Sequence, residues 1–95
     1  MKITGTFYFD PEDKIYIDHF PGNPVVPGSV IVSAFLSAAQ KHCNIASGLI
    51  TVQDFRFRIF VSPGTYDYSL SDKDKFVECK LFDNGKRVVS GKILI

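Results

Sequence analysis

The chain contains no tryptophan, one methionine and two cysteines, and its formal charge is only +1. Each shortage excludes something. Two thiols, Cys43 and Cys79, cannot build a multi-disulfide scaffold, and their separation is not a metal-ligand spacing, so no metal site is expected. They read as reduced thiols of a cytoplasmic protein. A balance of 11 basic against 10 acidic residues argues against nucleic acid as the main partner. No apolar run approaches the ~18 residues of a membrane span. No apolar leader follows Met1, so neither a membrane role nor a targeting segment is expected. With no repeat, linker or low-complexity stretch, residues 1–95 read as a single domain.

What is abundant is aromatic. Nine phenylalanines and four tyrosines in 95 residues fit a large core, a large interface, or both. A domain this short buries only a little over ~60% of its unfolded surface, and it gains much by sharing a core with a second chain. The protein is therefore expected to be at least a dimer, with edge pairing closing exposed strands.

The chain divides into β-prone runs around one helical pattern. Thr6-Phe7-Tyr8-Phe9 is a strand that stops at the turn signal Asp10-Pro11, and Ile15-Tyr16-Ile17 is a short extended piece. From Ser29 to Cys43, apolar residues cover almost every direction around a helix, which predicts burial on most sides. From Gln53 to Val61, Phe55, Phe57, Ile59 and Val61 alternate with Asp54, Arg56 and Arg58, the mark of a half-buried strand. Tyr66 to Leu70 resumes the alternation. Phe76 to Phe82 and Lys86 to Ile95 flank Asn84-Gly85, a strong type I′ hairpin signal. One apolar helix followed by an antiparallel sheet predicts an α+β hotdog, in which the sheet wraps the helix.

The densest segment is His19 to Gly28, H-F-P-G-N-P-V-V-P-G, with three prolines and two glycines. Proline fixes φ and glycine opens positive φ, so the run encodes one stiff backbone path. It holds an imidazole next to a helix N-terminus, which is how a site for developing negative charge is built. The same composition also suits a tight connector that only closes a fold.

The spacing resembles the signature of the bacterial 3-hydroxyacyl-acyl-carrier-protein dehydratases, the FabA/FabZ group of hotdog proteins. Phe57-Arg58-Ile59-Phe60-Val61-Ser62-Pro63-Gly64 is similar to that family's F-K-R-P-V-x-P-G strand, with Ile59 and Phe60 replacing a basic residue and a proline. The resemblance implies His19 as the base that removes the proton α to a thioester carbonyl. It implies Gly28 as the backbone N–H donor to the enolate-like oxygen. It implies an acyl tunnel from His19 along the helix, with Val26, Val32 and Phe60 among its lining residues. It implies an acyl thioester on an acyl carrier protein as partner, with no cofactor.

One position departs from the family. Ser33 stands fourteen residues after His19, where the family carries its acidic residue, and Ser37 stands where the FabZ type carries glutamine. A serine hydroxyl is too weak an acid to protonate a leaving group near neutral pH, and general acid catalysis of this kind contributes ~10²–10⁴-fold. Asp10 and Glu12 precede the loop with no spacing that places them in the site. A Ser33–His19 nucleophilic pair lacks both an elbow motif and a third orienting residue. Three readings remain: a weak dehydratase, a degenerate hotdog that binds acyl chains or their carrier, and a structural subunit that pairs with an active homologue. Arg56, Arg58, Lys86 and Arg87 form a basic face that suits either an acidic carrier or plain solvent.

Overall fold

The computed structural model describes residues 2–15, 22, 24–43 and 50–94. It contains β1 (Lys2–Phe9), α1 (Gly28–His42), β2 (Thr51–Phe57), β3 (Gly64–Asp72), β4 (Phe76–Asp83) and β5 (Lys86–Leu94). The strands form one sheet in the order β1-β3-β4-β5-β2, and every neighbouring pair is antiparallel. Among the described elements β1 and β2 are the sheet's edges. This is the expected hotdog, with α1 packed on one face of the sheet.

Alternation sets that face. In register, Tyr68, Leu81 and Val89 line up across three strands, and Leu70, Cys79 and Gly91 form the next row. All six are buried, whereas the alternate row residues Lys80 and Ser90 are only half-covered. Against the buried rows α1 presents Ile31, Phe35, Ala38 and Ala39, spaced as one helical stripe. Phe35 is the hub of an aromatic cluster, edge-on to Phe7 at 5.1 Å and tilted against Phe55 at 5.9 Å.

The helix departs from expectation on its far side. Ser29, Ser33 and Ser37 recur every four residues and are exposed, so α1 is one-sided rather than buried on most sides. Its periodicity misled because Val30, Val32, Ala34 and Leu36 are only half-buried flanks of the core stripe.

The strand expected from Gln53 to Val61 also differs. It ends at Phe57, and its register slips between Gln53 and Arg56, where Asp54 takes φ 58°. Asp54 and Phe55 together oppose the single residue Gly91, a β-bulge. The extra residue drops the Phe55 ring onto Gly91, into the space a Cβ would fill. Beyond β2, the Arg58 N–H donates to the Val88 carbonyl at 2.9 Å, and Ile59 and Phe60 turn outward, 42% and 85% exposed. A second bulge at Val88 in β5 buries both Val88 and Val89. The hairpin between β4 and β5 is as its sequence demands, with Asn84 at φ 51° and Gly85 at φ 81°.

Candidate active site

The candidate base, His19, lies outside the described residues, as do Phe20, Pro21 and Asn23. The other residues singled out in the sequence fall on two sides of α1. Gly28 opens the helix behind Pro27, whose carbonyl accepts from the N–H groups of Val30 at 3.0 Å and Ile31 at 3.3 Å. Among the described residues no side chain caps this end, which leaves the Gly28 and Ser29 amides as donors at the positive end of the helix dipole.

Beside Gly28 is an apolar cavity of about 340 Å³, lined by Val25, Val26, Pro27, Gly28, Ile31, Phe57, Ile59, Phe60 and Val61. It joins the two sequence motifs. The Val26 N–H donates to the Val61 carbonyl at 2.7 Å and so ties the proline-rich run to the segment after β2. The Phe57 ring comes within 3.2 Å of the place a Cβ on Gly28 would occupy, so glycine is what lets the ring close over the helix start. Val26 and Phe60 thus line one space with Gly28, whereas Val32 is half-buried and is not among its lining residues.

Ser33 and Ser37 open elsewhere. Five residues separate Gly28 from Ser33, which turns them about 140° apart on a helix of 3.6 residues per turn. Ser29, Ser33 and Ser37 line a cleft of about 460 Å³ whose other wall is Tyr8, Phe9, Asp10, Asp13 and Ile15. The structure therefore gathers Ser33 with two carboxylates that sequence spacing did not connect to it. Both are held by their own turns. Asp10 Oδ1 accepts the Glu12 N–H at 2.9 Å, and Asp13 Oδ1 accepts the Ile15 N–H at 3.1 Å. The pattern D-P-E-D carries those turns in the sequence, but nothing local says which helix face they meet.

Both thiols are unsuited to nucleophilic work. Burial pushes the Cys79 thiol up to about 12, with Cys43 and Glu78 adding smaller like-charge effects. Burial, then the carboxylate of Asp72, also raises Cys43 above its usual range. Near neutral pH neither supplies a thiolate. The Tyr66 hydroxyl donates to the Ser62 carbonyl at 2.7 Å and pins the Ser62-Pro63-Gly64 turn. Burial and then Asp83 raise its pKa. Among the described residues, no three His, Cys, Asp or Glu side chains gather as a metal site. Nor is any described helix long and apolar enough to cross a membrane.

Comparison with known proteins gives three findings. The model of the ApeI-like family, described as ApeI dehydratase, matches residues 1–92. The 3-hydroxyacyl-[acyl-carrier-protein] dehydratase FabZ of Lactiplantibacillus plantarum is 36% identical over 59 residues, 55% of this chain and 40% of its own length. That of Zymomonas mobilis subsp. mobilis is 34% identical over 61 residues, 55% of this chain and 39% of its own length. The matched stretch thus spans about two-fifths of these relatives. Among solved structures, the dehydratase heterocomplex ApeI:P from Xenorhabdus doucetiae superposes with a TM-score of 0.79. It is 21% identical, over 98% of this chain and 85% of the other, a likeness of fold.

Proposed function

The chain belongs to the ApeI-like dehydratase family, and from that premise we propose that it binds 3-hydroxyacyl thioesters carried on an acyl carrier protein. The observation that carries the reading is the apolar cavity opening at the uncapped first turn of α1. An acyl chain gains about 0.8 kcal/mol per buried CH₂, so such a cavity holds it without further polar contacts. The Gly28 N–H would then stabilise the thioester oxygen as charge develops on it. His19 would take the proton from the carbon between carbonyl and carbinol, and the C–O bond to the hydroxyl would break as the double bond forms. The departing oxygen needs a proton to leave as water, and Ser33 is a poor source.

A second reading has its own support. Ser33 lies on an exposed helix face, not in the cavity beside Gly28, and the structural neighbour is a heterocomplex by its own description. On this reading the chain pairs with a homologous subunit that carries the missing carboxyl, and it supplies binding rather than complete chemistry. A homodimer of this chain would then be a weak catalyst.

The two readings part in one assay on a 3-hydroxydecanoyl thioester. The protein alone is expected to turn over feebly or undetectably, and Ser33→Glu to raise turnover measurably by supplying a carboxyl across a dimer contact, since residue 33 does not line the cavity of its own chain. His19→Ala in that background is expected to remove the gain. Robust activity of the unaltered protein that survives His19→Ala would refute His19 as the base. Robust activity that needs His19 would refute the pairing reading, since the acid would be present in the chain.

A further inference from the structure

Resting on the acyl-thioester reading above, we propose that the Tyr66 hydroxyl is a positioning group for the acyl cavity. By holding the Ser62 carbonyl it fixes the crossover that forms the cavity wall, and so sets how closely that wall fits an acyl chain.

The crossover follows from the strand order. β2 and β3 are consecutive in sequence but lie apart in the sheet, with β5 and β4 between them. Residues 58–63 therefore cross three strand spacings, about 14 Å at ~4.8 Å each. The seven Cα steps from Phe57 to Gly64 reach up to about 25 Å when extended. The connection is longer than the crossing demands, so ties rather than tension set its course. Its residues Ile59, Phe60 and Val61 line the cavity beside Gly28. Among the described residues, three hydrogen bonds hold it. Near β2 the Arg58 N–H donates to the Val88 carbonyl at 2.9 Å, and in the middle the Val61 carbonyl accepts from Val26 at 2.7 Å. Near β3 the Tyr66 Oη donates to the Ser62 carbonyl at 2.7 Å.

The third tie differs from the other two in coming from a side chain. Pro63 has no N–H to offer, so the backbone cannot supply a donor at that point. Tyr66 is itself well fixed, buried at 8% exposure and opposite Phe7 in β1. It does not line the cavity. Its reach is through the backbone: the Ser62 carbonyl is one peptide unit from that of Val61, which holds Val26, and Val26 leads through Pro27 to Gly28. Without the hydroxyl the Ser62 carbonyl, on an exposed residue, can turn to water. One end of the crossover is then released while the sheet keeps its ladders. A wall that gives forfeits close contacts with a bound chain, because dispersion falls steeply with separation.

The test uses the full chain and saturated acyl N-acetylcysteamine thioesters from butanoyl to decanoyl, which have no hydroxyl to lose. The unaltered chain should gain up to about fourfold in affinity per added CH₂ until the cavity is full. Tyr66→Phe should cut that gain to about twofold or less per CH₂. It should also speed hydrogen exchange at the Val26 amide by roughly tenfold, while the amides of β4 keep their protection. Tyr68→Phe is the control, the same deletion from a tyrosine two residues along β3 that is 7% exposed and does not line the cavity. It should preserve both the gain per CH₂ and the Val26 exchange rate. Binding is read below the melting midpoint, which Tyr66→Phe should lower by roughly 2–12 °C for one lost hydrogen bond.

A larger fall would make the hydroxyl a support of the whole fold and overturn the positioning role. So would equal flattening in both tyrosine variants, or a flattened gain with Val26 exchange unchanged. Faster exchange at Val26 with the gain per CH₂ intact would overturn it too, leaving a tie of no consequence for the ligand. If the unaltered chain gains with chain length and Tyr66→Phe gains equally, only the positioning proposal falls. If the unaltered chain binds none of the series, the acyl-thioester reading falls and takes this proposal with it.

Discussion

Gly91→Ala should unfold the protein well below its normal midpoint, for a reason local to one ring. The Phe55 ring fills the position where the new methyl would be built, and Gly91 is itself buried in β5. The collision is with ring carbons rather than with the loose end of a side chain. Phe55 cannot simply swing away, because the bulge at Asp54 aims it inward and Phe35 packs on it at 5.9 Å. Forcing a methyl into a packed core costs about 1–3 kcal/mol. If the ring is expelled instead, the loss approaches the ~3–5 kcal/mol of a Phe→Ala truncation. For a domain of this size each kcal/mol moves the midpoint by roughly 4–8 °C. The expected fall is therefore about 4–24 °C, and larger if the ring is expelled, read by thermal melts and confirmed by urea titration with an unchanged m value. The decisive control is the double variant. Phe55→Leu alone should destabilise, yet combined with Gly91→Ala it should cost less than the sum, since the smaller side chain admits the methyl. Additive losses, or a Gly91→Ala protein that melts with the wild type, would refute the close-packing argument.

Ser33→Glu, beyond its effect on turnover, should leave stability within about 0.5 kcal/mol, because residue 33 is exposed rather than packed; a large loss in a thermal melt would mean this face is covered. Asn84→Val should destabilise by about 1–2 kcal/mol, since a β-branched residue is strained at φ 51°, while Asn84→Gly should be nearly neutral. Stability should fall as pH rises from about 9 towards 12. The unfolded chain releases the Cys79 proton near the ordinary 9.0, whereas the folded chain retains it to about 12, so the unfolded state binds fewer protons across that window. Tyr66 acts in the same direction from a raised pKa. Cys79→Ala should flatten the slope of midpoint against pH, and an unchanged slope would assign the alkaline loss to other groups.

Much of the architecture was legible because its signals are local. The run of apolar residues after Gly28 is long enough to require a helix, and Asn84-Gly85 needs only its own backbone to make a turn. The strand through Phe55 was legible in kind but not in extent. Period-two alternation assumes one residue per pleat, and a bulge breaks that count without changing the composition. Asp54 gives little warning of its left-handed backbone; the matching signal is Gly91, 37 positions away, where the ring must fit. The serine face of α1 was misread for a related reason, since small residues carry no strong preference between a packed and a wet surface. In the candidate site, Val26, Gly28 and Phe60 line one cavity, whereas Val32, expected beside them, does not, because the helix turns it away from Ile31, which does. The approach of Asp10 and Asp13 to Ser33 depends on how β1 lies against α1, which no sequence interval encodes. The expectations for His19 fall outside the described residues.

The five-residue offset between Gly28 and Ser33 also bears on how such a chain can change over generations. A substitution at 33 alters the surface of a different cleft from the cavity at Gly28, and the two linings share no residue. The two surfaces are free to drift independently. On the proposed reading, a lineage could lose a proton donor at 33 while selection still held the cavity wall, the Phe57 ring over Gly28 and the tie from Val26 to Val61 in place. Duplicated genes on this scaffold would then have a short route to specialised siblings, one codon apart.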